Sequence, residues 1–241
     1  MLSSLKLPSK KRNLVIFGTE AFADIAYEYF TWDSDYEVVA FTLDRSYLKN
    51  TTKFNIPIIA FDELKIKYPP KNVDIFVAIV YGKMNRLRAD ICLRMKDSGY
   101  KLASYISSKA FVWHNVTLGE HCFIFEDNTI QPFVEIGNDV VLWSGNHIGH
   151  HSFIGNHCFI SSHVVVSGWV RIEEYCFIGV NSTIANNAEI GTGTWISHGS
   201  CVAGNIPAHS LVKSVQSEVK PLNEAALFRS LDRISKYRNT P

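Results

Sequence analysis

The chain of 241 residues lacks several features that would settle its class at once. It has no excess of either charge: Lys and Arg number 24 against 23 for Asp and Glu, so no global field draws it to nucleic acid or an anionic membrane, and neither is expected as a partner. No apolar run approaches the roughly 20 residues that span a bilayer. The opening MLSSLKLPSKKR is basic but has no apolar core behind it resembling a secretion signal, and a cytoplasmic location is the expectation. The five cysteines, Cys92, Cys122, Cys158, Cys176 and Cys201, form no C-x-x-C pair; this argues against a zinc knuckle or redox pair and leaves buried free thiols as the expectation. The turn Gly18-Thr19-Glu20-Ala21-Phe22 holds one glycine where a dinucleotide fingerprint has three, so NAD is not expected.

What is present falls into two grammars. In residues 1–106 short β-branched and aromatic runs, NLVIF, EVVAF and VDIFVAIV, alternate with stretches of helical spacing, AFADIAYEYF and MNRLRADICLRMKDSGY. That alternation predicts a Rossmann-like α/β domain, a small parallel sheet flanked by helices. Asp44 and Arg45 close the second run, where open α/β sheets hold ligands at the carboxyl ends of their strands; the alternative is a solvated turn.

Across 107–210 the grammar is a period of six. From Val112 through Ile124, Ile136, Ile148, Ile160, Ile172, Ile184 and Ile196 to Val202, every sixth residue is aliphatic, sixteen in succession. A strand and a corner, repeated with the aliphatic turned inward, predicts a parallel β-helix of eighteen-residue triangular coils. The residue four later is also inward, which places Cys122, Cys158 and Cys176 in the core and stacks Asn128 under Asn146 as an expected amide ladder. Residues 211–241 are read as a C-terminal extension with a helix near Leu222 to Tyr237.

Sorting by eighteen also aligns outward residues. Phe123, Val141, Phe159, Phe177 and Trp195 form an apolar column, read as a subunit interface and, with three sides available, as a homotrimer; the alternative is cover by the N-terminal domain or the C-terminal helix. Four histidines crowd the stretch LWSGNHIGHHSFIGNHCFIS: His147, His150, His151 and His157. His151, His157 and His163 lie six apart, on three different sides, and cannot converge on one ion. Gly168 stands one coil above His150, leaving a slot beside that imidazole.

Six segments carry a family resemblance: IFGTEAFADIA, FTLDR, YGKMNRLRADI, IGHHSFIGNHCFIS, SGWVRIEEYCFIGVNSTI and AGNIPAHSLV. In them the chain resembles the bacterial acyltransferases grouped with sialic-acid O-acetyltransferases, which include N-acetyltransferases of nucleotide-linked amino sugars. The resemblance implies a left-handed β-helix behind the Rossmann-like domain and acetyl-CoA as co-substrate. It further implies a nucleotide-linked deoxyamino sugar as acceptor, in bacterial surface-glycan (lipopolysaccharide) biosynthesis. It implies His150 as general base, substrate contacts at Gly18, Thr19, Glu20, Phe22, Asp44, Arg45, Tyr81 and Asn85, and acetyl-CoA contacts at Gly168, Asn186 and Ala203; His147, which straddles one strand start with His150, is a further substrate-contact candidate from its position alone. The architecture also resembles gamma-class carbonic anhydrases, which build zinc sites from histidines spaced like His114 and His150. Here Gly155 stands at the third ligand's place, and no metal is expected. Two other activities use or discard the same parts: O-acetylation of a sugar hydroxyl, and a non-catalytic trimeric nucleotide-binding scaffold.

Overall fold

The structure, a computed structural model, describes Ser9, residues 11–217, Asn223 and Arg229. The helix expected near Leu222 to Tyr237 lies almost wholly outside the described residues.

The N-terminal region is a six-stranded sheet with helices. In chain order it runs β1 (Arg12–Phe17), α1 (Ala21–Trp32), β2 (Tyr36–Leu43), β3 (Thr52–Lys53), β4 (Ile56–Ala60), α2 (Phe61–Lys67), β5 (Asp74–Val77), α3 (Arg86–Asp97) and β6 (Lys101–Leu102). The strand order is β3-β4-β2-β1-β5-β6, parallel except for the β3–β4 pair. β1 is fully buried from Leu14 to Phe17, which is why its sequence is a continuous apolar run rather than an alternation. Four elements, β3, β4, α2 and β6, exceed those expected from sequence; Pro57 inside the run IPIIA breaks the strand signal of β4.

From Tyr105 the chain coils. Two-residue strands pair in parallel with partners eighteen positions on, Phe123 with Val141, Thr129 with His147, Glu135 with Phe153, and make three faces of seven, six and five strands. The expected α/β-plus-β-helix fold class is the one observed. The core is the aliphatic hexad: Ile124, Ile130, Leu142, Ile148, Ile154, Ile160 and Ile178 are all 0% exposed. Burying each side chain contributes about 1.5–3 kcal/mol.

Corners explain the histidines. At most corners one residue takes a left-handed φ, between 56° and 75° along the coils, and His121, His151, His157, His163 and His209 occupy such positions. Histidine, asparagine and aspartate tolerate that region better than most side chains. Five of the nine histidines are therefore corner residues first.

Three sequence expectations need correction. The apolar column on the first face is not a free subunit interface: Phe123, Val141, Phe159 and Phe177 are buried under the same chain's α/β region, in one cluster with Phe22, Phe30, Phe76 and Tyr105. Phe22 and Phe76 meet Phe123 edge-on and tilted, at 5.4 and 5.1 Å between ring centres, and Tyr81 covers Phe159 and Phe177 at 5.1 and 4.8 Å. Asn128 and Asn146 are inward and buried, but they cap backbone rather than each other. Both donate to the Trp143 carbonyl, and Asn146 Oδ1 accepts the Val164 N–H at 2.8 Å. Four cysteines are buried free thiols, but Cys201 is exposed because it occupies the outward position of its strand.

Candidate active site

His150 and His151 stand directly after the strand His147–Ile148, at the corner between the second and third faces. The coil below brings Gln131 and Phe133 to this corner, and the coil above brings Gly168 and Trp169. Three hydrogen bonds pin the backbone. The His150 N–H donates to Gln131 Oε1 at 2.9 Å, the Trp169 N–H to the His150 carbonyl at 2.9 Å, and the Gly168 N–H to Asn186 Oδ1 at 2.9 Å.

The His150 ring is exposed and occupies the place of a missing side chain. A Cβ added to Gly168 would lie 2.7 Å from its Cε1 and 2.8 Å from its Nε2. Its Nδ1 is 3.1 Å from Nδ1 of His151. The His151 ring is stacked between Phe133 at 4.6 Å and Trp169 at 4.1 Å. Residues 113–116, 131–134, 149–152, 167–170 and 185–188, which form this corner on five coils, include no Asp, Glu, Lys or Arg. An imidazole there has no fixed charge beside it and an open approach. Gly168, Asn186 and Ala203 continue the same corner upward, Asn186 and Ala203 exposed, so the three positions expected to meet acetyl-CoA share one edge with His150. His147 is half-buried on the second face, one strand before His150.

The positions expected to hold the nucleotide gather mostly at the carboxyl edge of the α/β sheet. Gly18 follows β1 at φ 118°, and an added Cβ would approach the Ala78 carbonyl to 3.0 Å, so glycine is required there. Thr19 accepts a hydrogen bond from Lys53 Nζ at 2.9 Å, and Glu20 is exposed at the start of α1. Asp44 pairs with Arg94 at 3.0 Å, and Arg45 with Asp62 and Glu63 at 2.9 and 2.6 Å. Tyr81 is 42% exposed, with its ring against the first face. Two residues correct the expectation. Phe22 is buried against Phe76, Phe123 and Trp143, and Asn85 is 0% exposed, donating to the Cys176 carbonyl at 3.1 Å and accepting from Arg88. Neither presents a face to a ligand. Lys53 was missed because it lies on β3, in a turn-rich segment without periodicity.

Comparison with known proteins places this geometry. The bacterial transferase hexapeptide (six repeats) profile matches residues 151–186. Among solved structures, the acetyltransferase domain of PglB from Neisseria gonorrhoeae is 23% identical with a TM-score of 0.73, over 88% of this chain and 100% of that one. PerB from Caulobacter crescentus, solved with CoA and GDP-perosamine, is 22% identical with a TM-score of 0.73, over 90% of this chain and 100% of that one. WeeI from Acinetobacter baumannii is 19% identical with a TM-score of 0.56, over 84% and 97%. No curated protein sequence matches. The fold is that of known acetyltransferase domains.

Within this acetyltransferase fold a buried polar cluster lies at a different corner, between the third and first faces. Asp139 Oδ1 accepts from Arg88 Nε at 2.7 Å and from His121 Nδ1 at 2.8 Å, and Oδ2 accepts from His157 Nδ1 at 2.8 Å. His121 Nε2 accepts the Val77 N–H at 2.8 Å, which fixes the Nδ1–H tautomer. Burial alone would raise the Asp139 carboxyl, but the Arg88 guanidinium and the two histidine hydrogen bonds hold it far below the ordinary carboxylate range. Cys92 completes a Cys-His-Asp triplet close enough to suggest a metal. The donors do not fit one: the carboxylate oxygen is already taken by Arg88 and His121, burial holds the Cys92 thiol protonated, and a cation would sit beside a guanidinium. The cluster fastens α3 to the coils. Arg88 also donates to the carbonyls of Asp139 at 3.0 Å and Cys158 at 3.4 Å. Period-eighteen sorting of the corner residues, which aligns His121, Asp139, His157 and Tyr175, is the signal that finds it.

Proposed function

We propose that the protein transfers an acetyl group from acetyl-CoA to the amino group of a nucleotide-linked deoxyamino sugar, with His150 as general base. The observation that carries this reading is the exposed His150 imidazole seated over Gly168, at the edge shared with Asn186 and Ala203. Relatives in fold support the reactants. The PglB domain has been solved with acetyl coenzyme A, and PerB with CoA and a nucleotide-linked amino sugar.

The chemistry asks little beyond that ring. The amine nitrogen attacks the thioester carbonyl carbon, a C–N bond forms, and Nε2 of His150 accepts the proton the nitrogen sheds. The C–S bond then breaks, and CoA leaves as a thiolate that takes the proton back. An imidazole with an ordinary pKa near 6.5 suits the acceptance, and general-base help is worth about 10²- to 10⁴-fold. The leaving thiolate, with an ordinary pKa near 8.5, needs little acid assistance. A covalent acyl-cysteine route lacks an accessible nucleophile in the coil core, where Cys122, Cys158 and Cys176 are all buried, and burial pushes the Cys122 thiol up to about 12.

The site also needs a second copy. Each chain's α/β region lies on the first face, while His150 stands at the opposite corner, across the prism. An acceptor held at the sheet edge of one chain therefore meets the His150 of another, which supports an assembly of copies on grounds other than the apolar column, with the homotrimer expected from the three-sided prism as its form.

The test is turnover with a panel of UDP-, dTDP- and GDP-linked amino sugars, with product mass and acyl position determined. An N-acetylated sugar formed by the wild type, and none by His150→Asn with acetyl-CoA binding intact, is expected. An O-acetyl product would move the assignment to the sugar hydroxyl, and absence of any acetyl-CoA effect on Tm would favour the scaffold.

A further inference from the structure

The two adjacent histidines are not equivalent. His151 is held as few exposed side chains are: its backbone is left-handed at φ 58°, its N–H donates to the Pro132 carbonyl at 3.2 Å, and its ring is clamped between Phe133 and Trp169, nearly parallel to both at 25° and 13°. The clamp prevents rotation and aims Nδ1 at Nδ1 of His150, 3.1 Å away. The His150 ring is nearly perpendicular to it at 87° and backed against Gly168.

Two nitrogens at that separation share one hydrogen, so one must donate and the other accept. We infer that His151 is a positioning residue: its rigid, unprotonated Nδ1 accepts the Nδ1–H of His150, fixing His150 in the tautomer whose Nε2 lone pair faces the cleft. The inference rests on the reading of His150 as base and assigns what orients it. When Nε2 takes the substrate proton, the Nδ1–H···Nδ1 bond becomes charge-assisted and holds the imidazolium until the proton is returned. The opposite tautomer, with His151 donating, would leave Nε2 of His150 protonated and unable to accept.

Nothing nearby competes for the role. The corner's own residues include no carboxylate or cation, and His114, two coils below, is their other titratable group. On the flanking faces stand His147, Glu135 and Arg171, the last paired with Glu173 at 2.5 Å and lying over Phe153. No hydrogen bond from any of them to the His150 ring exists among the described residues.

The test pairs a spectrum with kinetics on the full chain. In ¹⁵N-histidine-labelled protein, ring shifts should show Nδ1–H on His150 and Nε2–H on His151. His151→Phe keeps the aromatic stack but removes the acceptor. It should average the His150 tautomers and lower kcat at least about tenfold, with the acetyl-CoA KM within about twofold. His151→Asp should restore kcat to within about threefold and move the acid limb of the kcat/KM profile to higher pH, because a carboxylate favours the imidazolium. Nε2–H on His150 in the wild type, or an unchanged His150 spectrum in His151→Phe, overturns the inference. So does full activity of His151→Phe while His150→Ala is inactive. Turnover surviving in His150→Ala would instead sink the base reading, and the tautomer spectrum would still decide the pair.

Discussion

At the scale of single residues the site depends on what is missing. Gly168 has no special φ, so alanine costs nothing in backbone strain there; its methyl group would nonetheless occupy the His150 ring's space at 2.7 Å. Gly168→Ala is expected to lower kcat by about tenfold or more while leaving Tm within a few degrees, as steady-state kinetics and a melting curve would show. A variant with full activity would mean the imidazole works from another rotamer. This relation was legible in the sequence, because eighteen-residue spacing alone sets Gly168 above His150. The clamp on His151 was written there too, as Phe133, His151 and Trp169 at the same spacing. Stacking, however, is a matter of ring orientation, which spacing does not supply.

At the scale of elements the buried Arg88–Asp139 pair decides how α3 meets the coils. Asp139→Asn leaves a fully buried guanidinium without its counter-charge, and a loss of about 3–5 kcal/mol is expected from urea unfolding at pH 7. The pH dependence follows in sign. The folded-state pKa of Asp139 lies below its unfolded value, so its contribution is fully present above the ordinary carboxylate pKa near 3.9 and erodes as pH falls toward the folded value. The stability gap between wild type and Asp139→Asn should therefore narrow between about pH 4 and pH 2. A gap constant over that range would show that the carboxylate is not what holds α3. This fastening was hard to read in advance. Arg88 sits in a helix where Arg86, Asp90 and Lys96 are exposed, and only Asp139, fifty-one residues on, makes its burial tolerable. Asn85 failed as a ligand candidate for the same reason: its surroundings come from a distant coil.

For the whole molecule, the prism could be read from sequence because a period of eighteen fixes neighbours without further information. What covers its first face stayed open between a second copy and the N-terminal domain or C-terminal helix. Phe22, Phe30 and Phe76 read equally well as the core of their own domain, and the apolar column read as an interface between copies. In the structure the two surfaces cover each other, and His150 stands at the opposite corner. Shared sites can be complemented. Two inactive chains, His150→Ala and Glu20→Trp, the second blocking the exposed edge of the β1–α1 turn, are to be refolded together in equal amounts and assayed for acetyl transfer. If each site joins His150 of one copy to the sheet edge of another, random mixing restores about a quarter of wild-type turnover. Turnover no higher than that of either parent alone would contradict it.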